Sequence, residues 1–267
     1  YRSHTIGQVV TNGGDMVGLQ VTLAGYAETV RGRGGVCFVM LRDGTGRIQA
    51  FLKRDAMDES AFESIQSSSR ESTISVTGVV AQKRPPKTPE GSSPPPPEYE
   101  VSVSSAEILA IADAPLPVGV VDDVNVGLDV RLDNRHLDVR RSHVNAMFQL
   151  RSKVLQYGRD HLIQEGFSEM NSPKIIASAS EGGTNLFPMM YFDTPAYLSQ
   201  SPQLYKQLAV LGGLERVFEI GPAFRAEKHD TYRHLNEFVS FDIEAAWCDD
   251  EDVMGVLERM IHSIWSR

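Results

Sequence analysis

Residues 214–247 read LERVFEIGPAFRAEKHDTYRHLNEFVSFDIEAAW, and this stretch decides the fold of the second half of the chain. Its two ends are strand-like, and the polar loop between them concentrates Arg225, Glu227, His229, Arg233 and His234. Charges at the inner ends of apolar strands are costly unless they meet a ligand or each other. A polyphosphate would supply such a partner, and an ion pair between Arg225 and Glu227 across the hairpin is the alternative.

Helices and short strand-like runs surround this hairpin. Apolar residues from Val144 to Ile163 recur at spacings of three and four, which predicts a long helix over 143–165 that ends at Gly166. The same spacing predicts a helix over 251–267 that continues to the last residues. Strand-like runs such as KIIASAS at 174–180 lie between them, so the second half is predicted to be a mixed α+β domain.

The first 111 residues are predicted to be mostly strands. Period-2 alternation over 17–24, apolar runs and a turn at 43–46 indicate five strands, at 17–24, 36–41, 47–52, 73–82 and 99–111. A short helix is predicted at 55–69, between the third and fourth strands. Five strands in this order are typical of an OB-fold barrel.

The predicted domain organisation follows from these elements. The barrel occupies 1–112, a linker with two prolines covers 113–130, and the α+β domain covers 131–267. The proline-rich segment at 84–97 cannot join a sheet and is predicted to be an exposed loop.

Composition excludes several classes of protein. The 267 residues are 41% hydrophobic and 23% charged, which excludes a wholly disordered chain. No apolar run is long enough for a membrane span and no secretory start is present, so we expect a soluble, cytoplasmic protein with no membrane partner. Cys37 and Cys248 lack metal-ligand spacing and are predicted to be buried thiols.

The net charge of −9 belongs entirely to residues 105–267, because positive and negative side chains balance over 1–104. Net acidity argues weakly against nucleic-acid binding through bulk charge, although a local basic strip can bind on an acidic body.

Several motifs together resemble one enzyme family. The segments FRAE at 224–227 and FDIE at 241–244 resemble the second signature motif of class II aminoacyl-tRNA synthetases, and EGFSEMNSPKI at 165–175 resembles the first. The stretch QSPQLYKQ at 200–207 is similar to the aspartyl-tRNA synthetases. Together with RLDNRHLDVRR at 131–141 and SEGGTNLFP at 180–188, the match resembles their archaeal or eukaryotic-type branch.

The resemblance implies ATP-dependent attachment of L-aspartate to tRNA(Asp), and possible charging of tRNA(Asn), through an aspartyl-adenylate with Mg²⁺ on the phosphates. Arg225 would stabilise the α-phosphate, Glu227 would contact adenine or organise the loop, and Phe238 would stack under the purine. His234 or Arg233 would lie by the γ-phosphate.

The resemblance also implies an aspartate pocket. Lys206 would pair with the substrate's side-chain carboxylate, Ser201 and Gln203 would line the pocket, and Glu181 would close over the ammonium group. Asp242 and Glu244 are near enough in sequence to share this site. Without the resemblance, Lys206 reads as a solvent-facing lysine on a helix.

On the barrel, the family reads the tRNA anticodon. Phe38 would stack on a base, Gln49 would hydrogen-bond a base edge and Arg31 would complete the site. Taken alone, Phe38 reads as a core residue and Gln49 as a solvated strand residue.

Two further expectations concern assembly and completeness. The first motif, which ends at Pro173, implies a homodimer with a two-fold interface, against the alternative of a core helix within one chain. The third class II motif, with its ATP-binding arginine, and the metal-binding acids of relatives are absent from the 267 residues. We therefore expect no metal ligands here, a truncated catalytic domain, and no activity from this stretch alone.

Two other functions remain open at this point. An asparaginyl-tRNA synthetase would share most of these motifs, although such enzymes usually lack the lysine at 206 and the proline of QSPQ. A non-catalytic tRNA-binding protein would use the barrel and activate no amino acid.

Overall fold

A computed structural model describes residues 1–83, 96–120, 125–180, 185–229, 231 and 233–267. The predicted loop at 84–97 lies mainly outside the described residues, and so does Glu181. Packing divides the chain into two units, residues 1–145 and 146–267. The predicted boundaries at 112 and 130 stay a prediction.

The first unit is built on a closed barrel of five strands in the order β1-β2-β3-β5-β4, which confirms the predicted OB-type architecture. The strands are β1 (Gln20–Arg33), β2 (Val36–Arg42), β3 (Arg47–Lys53), β4 (Thr73–Gln82) and β5 (Tyr99–Ala110). Two short helices, α1 (Ile6–Thr11) and α2 (Gly13–Met16), precede the barrel, α3 (Glu59–Gln66) lies between β3 and β4, and α4 (Leu128–Asp133) and α5 (Arg135–Asp138) follow it.

Alternation along the strands builds the barrel core. Cys37, Val39 and Leu41 of β2 are fully buried, whereas the intervening Phe38 is 39% exposed. The sequence of β2 is apolar on both faces, but only the face that carries Cys37, Val39 and Leu41 is fully buried. Gly25 is required where β1 meets β2, because a Cβ there would lie 2.5 Å from the carbonyl oxygen of Arg42.

The N-terminal helices close one end of the barrel and were not predicted. Thr5 and Gln8 form a capping box at the start of α1, and Ile6 and Val9 are fully buried in the barrel core. The T-x-x-Q spacing at 5–8 was the available sequence signal. Val17 and Leu19, predicted to lie in the first strand, precede it and are 49% and 52% exposed.

The second unit has two small sheets and long helices. Helix α6 (Ser142–Gln164) crosses the boundary between the units, and α8 (Asp250–Trp265) ends the chain. One sheet has the order β11-β10-β6, from β6 (Ser168–Glu169), β10 (Arg216–Phe224) and β11 (Glu237–Ala245). The other has the order β7-β9-β8, from β7 (Ile175–Ile176), β8 (Pro188–Tyr191) and β9 (Thr194–Leu198). Helix α7 (Gln203–Ala209) precedes β10 and continues as a π-helical turn, Val210–Leu214.

The predicted stripe of α6 is buried at only some of its positions. Val144 and Leu162 are fully buried, but Met147 is 56% and Leu150 is 62% exposed. Gly166 follows α6 with a φ of 82°, a left-handed conformation that glycine tolerates and that ends the helix as predicted.

The two cysteines differ in burial. Cys37 is fully buried, and burial raises the pKa of its thiol, so the prediction of a buried thiol is confirmed there. The prediction is wrong for Cys248, which is half-buried and whose Sγ donates to the carbonyl oxygen of Ala245 at 3.4 Å. No described helix is both long enough and apolar enough to cross a membrane.

Buried charges hold the segment of α4 and α5 together. The carboxylate of Asp138 is fully buried and accepts from Arg131 Nε at 2.9 Å, with Arg135 and Arg141 also paired to it. The hydrogen bonds from Arg131, and then the charges of Arg131, Arg135 and Arg141, hold the pKa of Asp138 below its usual range despite its burial.

A second buried ion cluster lies on the barrel. Arg42 donates to both carboxylate oxygens of Glu71 at 2.8 Å, and Arg140 donates to the same carboxylate at 3.1 Å. The Arg140 guanidinium also lies 3.9 Å from the ring centroid of Tyr26. Residues 138–141 of RLDNRHLDVRR therefore contribute to structural ion clusters within the first unit.

We predict that Asp138→Asn lowers the free energy of unfolding by about 3 kcal/mol at pH 7, because it leaves three arginines without their buried carboxylate. Urea unfolding followed by circular dichroism measures this change. Asp133→Asn, at an exposed site in the same segment, is the matched control and should be nearly neutral.

The same pair of variants gives a pH signature. The folded-state pKa of Asp138 is lowered, so its stabilisation is complete above the unfolded value of about 3.9 and is lost as the pH falls through the folded-state pKa. The stability difference between the wild type and Asp138→Asn should therefore shrink below pH 4. A difference that is constant down to pH 2 would contradict this account.

Candidate functional site

The antiparallel pairing of β10 and β11 creates two different faces. The register pairs Ala223 with Phe238, Glu219 with Asp242 and Val217 with Glu244. One face packs on α6 and α8 through a shared apolar cluster that includes Phe218, Ile220, Phe241, Ile243, Leu162, Val256 and Met260. The opposite face, called here the polar floor, carries Arg225, Phe238, Ser240, Asp242 and Glu244.

Arg225 lies at one end of the polar floor. Its backbone N–H donates to the carbonyl oxygen of Asn236 at 2.9 Å, which continues the strand pairing, and its guanidinium lies 5.5 Å from the ring centroid of Phe238. The side chains of Arg225 and Phe238 are both half-buried. The arrangement places a fixed, planar cation beside an aromatic ring, as a nucleotide site needs.

The loop after Arg225 brings two predicted residues together. Glu227 lies 3.8 Å from Nε2 of His234, and Nδ1 of His234 is 2.6 Å from the hydroxyl of Thr231. Arg233 is exposed, and Asp230 and Tyr232 lie outside the described residues.

Lys206 belongs to α7 and contacts the polar floor at Asp242 and Glu244. It is only 7% exposed, which excludes the reading of a solvent-facing lysine. Its ammonium is 3.2 Å from the carbonyl oxygen of Ile243, 3.4 Å from Asp242 Oδ1 and 3.5 Å from Glu244 Oε2. The two contacts to carboxylates are long for charge-assisted hydrogen bonds, so a ligand carboxylate at a shorter distance would be a stronger partner.

Backbone hydrogen bonds fix the segment before Lys206 against the floor. The N–H of Ser199 donates to Lys174 O, and the N–H of Phe224 donates to Ser199 O, both at 2.9 Å. Ser201 is buried, and Gln203 donates from Nε2 to Glu244 Oε2 at 3.5 Å. The predicted pocket residues Ser201, Gln203 and Lys206 therefore lie beside the strands that carry Arg225 and Glu244.

A buried acid that sequence analysis missed supports this region. Glu219 is 3% exposed, pairs with the ammonium of Lys174, and accepts from the N–H of Ser172 at 2.9 Å. Gly221 leaves room for this carboxylate, since a Cβ there would lie 2.7 Å from Glu219 Oε1. An acid inside the apolar run VFEIG was the available signal. Pro173, between Ser172 and Lys174, is exposed.

The outer face of the barrel carries three rows of side chains across neighbouring strands. In strand order β1, β2, β3 and β5, they are the cationic row, Arg33, Val36 and Lys53; the phenylalanine row, Arg31, Phe38, Phe51 and Ser102; and the amide row, Thr29, Met40, Gln49 and Glu100.

The three predicted barrel residues lie on two adjacent rows. The rings of Phe38 and Phe51 stack at 5.0 Å, and Arg31 is opposite Phe38 on β1. Gln49 donates to Glu100 Oε2 at 2.7 Å, which orients its amide. The core reading of Phe38 is wrong, because the residue is 39% exposed. Sequence analysis missed Phe51 and Glu100, although the alternation Gln49, Phe51 and Lys53 along β3 was a signal for the first.

The described residues contain no group of three or more His, Cys, Asp or Glu side chains placed to hold a metal ion.

Family models match both units. Residues 127–267, more than half of the chain, match the model described as tRNA synthetases class II (D, K and N). Residues 21–109 match the model described as OB-fold nucleic acid binding domain.

Relatives match nearly the whole chain. It is 47% identical over 251 residues to a protein of Archaeoglobus fulgidus, and 45% identical over 250 residues to one of Methanosarcina barkeri, both called Aspartate--tRNA(Asp/Asn) ligase. Each alignment covers 94% of this chain but 56% and 54% of the relative, so the chain spans little more than half their length.

Solved structures agree with these matches. An asparaginyl-tRNA synthetase from Pyrococcus horikoshii complexed with asparaginyl-adenylate superposes with a TM-score of 0.82 at 35% identity, over 94% of this chain and 55% of that one. A putative aspartyl-tRNA synthetase from Leishmania major Friedlin gives a TM-score of 0.86 at 32% identity, over 100% of this chain and 52% of that one.

Proposed function

Because the chain belongs to the class II tRNA synthetases of the D, K and N group, we propose that the protein containing it is an aspartate–tRNA ligase. It would join L-aspartate to tRNA(Asp), and to tRNA(Asn) as the name of its relatives suggests, by way of aspartyl-adenylate. One observation carries this proposal: a buried lysine of α7, Lys206, contacts the polar floor that also carries Arg225 and Phe238.

The first step forms the adenylate. An oxygen of the α-carboxylate of aspartate attacks the α-phosphorus of ATP. The bond between this phosphorus and pyrophosphate breaks, and pyrophosphate leaves. Negative charge grows on the α-phosphoryl oxygens, and a planar guanidinium such as that of Arg225 stabilises it in a bidentate manner. Phe238 would hold the purine ring, while Glu227, Arg233 and His234 would contact adenine or the outer phosphates.

The amino-acid pocket follows from the contacts of Lys206. The ligand's side-chain carboxylate would replace the long contacts to Asp242 and Glu244 with a shorter, charge-assisted one. Asparagine offers only a neutral amide oxygen there, so it gains less from the buried ammonium. Ser201 and Gln203 would line the pocket, Asp242 and Glu244 would attract the substrate's ammonium group, and Glu181 stays a prediction for closing over it.

On the barrel, the anticodon would bind across the phenylalanine row and the amide row. A base would stack on Phe38, Arg31 would contact the strand beside it, and Gln49 would present the part of its amide that Glu100 leaves available. The outward position of all three side chains supports this reading.

The remaining expectations are also proposals. Exposed apolar residues beside Pro173, among them Ile175 at 47% and Tyr191 at 51%, support an isologous homodimer at this edge. Mg²⁺ would arrive on the ATP phosphates rather than on a ligand set of the described residues. The domain boundaries of 1–112, 113–130 and 131–267 are retained.

The substrate is tested by exchange of labelled pyrophosphate into ATP in the natural protein that contains this chain. We predict that aspartate supports exchange and that asparagine supports little. In Lys206→Met, kcat/KM for aspartate should fall by roughly 100-fold, because the substrate's side-chain carboxylate loses its buried cationic partner. Lys206→Arg, which keeps the charge, should retain part of the activity. Lys83→Met, at a half-buried lysine of the barrel unit that pairs with Glu98, is the control for removing a lysine.

Two results would overturn this assignment in different directions. Exchange with asparagine but not aspartate would favour an asparaginyl-tRNA synthetase, the class of one solved relative. Absence of exchange with either amino acid would favour a non-catalytic tRNA-binding protein.

The role of Arg225 gives a separate prediction. Arg225→Lys keeps the charge and removes the planar pair of donors, so kcat for exchange should fall by about 100-fold or more, with a smaller change in KM for aspartate. Arg216→Lys, on an exposed residue at the opposite end of β10, is the matched control. Equal losses in the two variants would mean that Arg225 supports only the strand.

The role of the barrel face is tested by Phe38→Ala. Loss of a stacked base should weaken tRNA affinity by about 5- to 100-fold and slow charging while pyrophosphate exchange stays intact. Val79→Ala, at another exposed apolar residue of the barrel, is the control. A parallel loss of exchange and charging in Phe38→Ala would mean that Phe38 only stabilises the fold.

A further inference from the structure

The cationic row lies next to the row that would stack a base, on the side away from Gln49. Lys53 is two residues beyond Phe51 on β3, and Arg33 is two residues beyond Arg31 on β1. Two residues along a strand span about 7 Å, so the cationic row is one step further along the same outward surface. The described function uses neither Arg33 nor Lys53.

The charges of this row, and of Arg31 in the adjacent phenylalanine row, are not balanced by acids. Arg31, Arg33 and Lys53 are all exposed, and among the described residues none of them has a carboxylate within ion-pair distance. Several other described cations of the first unit are paired with acids, as Arg42 is with Glu71 and Arg54 with Glu59 and Glu63. The strand face beside the phenylalanine pair is therefore a local basic strip on an acidic chain.

The side chain of Lys53 also contacts the ring of Phe51, which orients it. Its ammonium lies 5.6 Å from the ring centroid of Phe51, which in turn stacks on Phe38. A cation over this ring is attracted to its face, which reduces the freedom of the long lysine side chain. The aromatic pair and the cation thus form one continuous surface from Phe38 to Lys53.

A groove of about 640 Å³ opens beside this surface, lined by Gly35, Val36, Lys53, Arg54, Asp55 and Glu59. Asp55 and Glu59 also line this groove and disfavour a phosphate beside them, and Arg54 is already paired with Glu59. A phosphate would instead meet Lys53 at the groove and Arg33, which lies in register with Val36 and Lys53.

We infer that the cationic row is a further RNA subsite, which holds the phosphate of the nucleotide next to the base stacked on Phe38. This inference rests on the proposed binding of an anticodon strand to the barrel face. The subsite reads no sequence, because a lysine or arginine on a phosphate adds affinity and register without distinguishing bases. Its effect is to extend the bound strand by one nucleotide beyond the phenylalanine row.

The test uses the full chain and a stem–loop RNA that carries the aspartate anticodon, with affinity measured by fluorescence anisotropy over a range of KCl concentrations. In the variant Arg33→Gln/Lys53→Gln, the slope of log K against log salt should fall by roughly 1.4, about 0.7 for each lost contact on a single strand. Lys83→Gln, which removes a cation paired with Glu98, should leave the slope unchanged. Circular dichroism confirms that each variant is folded.

A length series locates the subsite. The anticodon trinucleotide is compared with the same RNA carrying one extra nucleotide at its 5′ or its 3′ end. The wild type should bind one of the longer strands several-fold more tightly, and the double variant should lose this gain. An unchanged salt slope, or a gain that persists in the double variant, would overturn the subsite.

Phe38→Ala separates this inference from the function on which it rests. If Phe38→Ala weakens binding while the double variant leaves the salt slope unchanged, the barrel binds RNA and the subsite is wrong. If Phe38→Ala binds the stem–loop as tightly as the wild type, the barrel face does not bind the anticodon and both proposals fail.

Discussion

Alternation of side chains along paired strands is the constraint on which both units depend. In β10 and β11 it sends Phe218, Phe241 and Ile243 to the helices and leaves Arg225, Phe238 and Asp242 on the polar floor. A slip of one residue in this register would bury the charges and expose the apolar side chains. In the barrel the same rule buries Cys37 and Val39 and turns Phe38 outward. The candidate sites are therefore the outer faces of surfaces whose inner faces form the cores.

Buried carboxylates are a second feature of both units, and each of them is compensated in the same way. The carboxylates of Asp138, Glu71 and Glu219 are all nearly inaccessible, and each is paired with at least one cation. Such clusters add little net stability over apolar packing, but removing one partner leaves an uncompensated charge. Lys206 differs from them because its contacts to carboxylates are long. The proposed substrate carboxylate would give this buried ammonium a closer partner.

The strand pattern of the barrel and the long helices were predictable because each depends on local periodicity. The strand at Thr73–Gln82 and the end of α6 before Gly166 agree with the sequence to within a residue or two. Capping at Thr5, the burial of Glu219 and the pairing of Gln49 with Glu100 were not predicted. The contacts of Glu219 with Lys174 and of Gln49 with Glu100 join residues 45 or more positions apart in the chain. Local periodicity cannot predict contacts at such separations.

The sequence by itself determined which elements form and which family the motifs belong to, because strand alternation, helical spacing and the residues around Arg225 and Lys206 are local properties of the chain. Only the tertiary structure decided which of these residues share a surface. Lys206 reaches the polar floor because α7 packs beside β11, and Phe51 joins Phe38 because β2 and β3 pair in one particular register. The physical reason is that burial and electrostatic compensation arise between distant segments, so they are properties of the folded chain and not of any stretch within it.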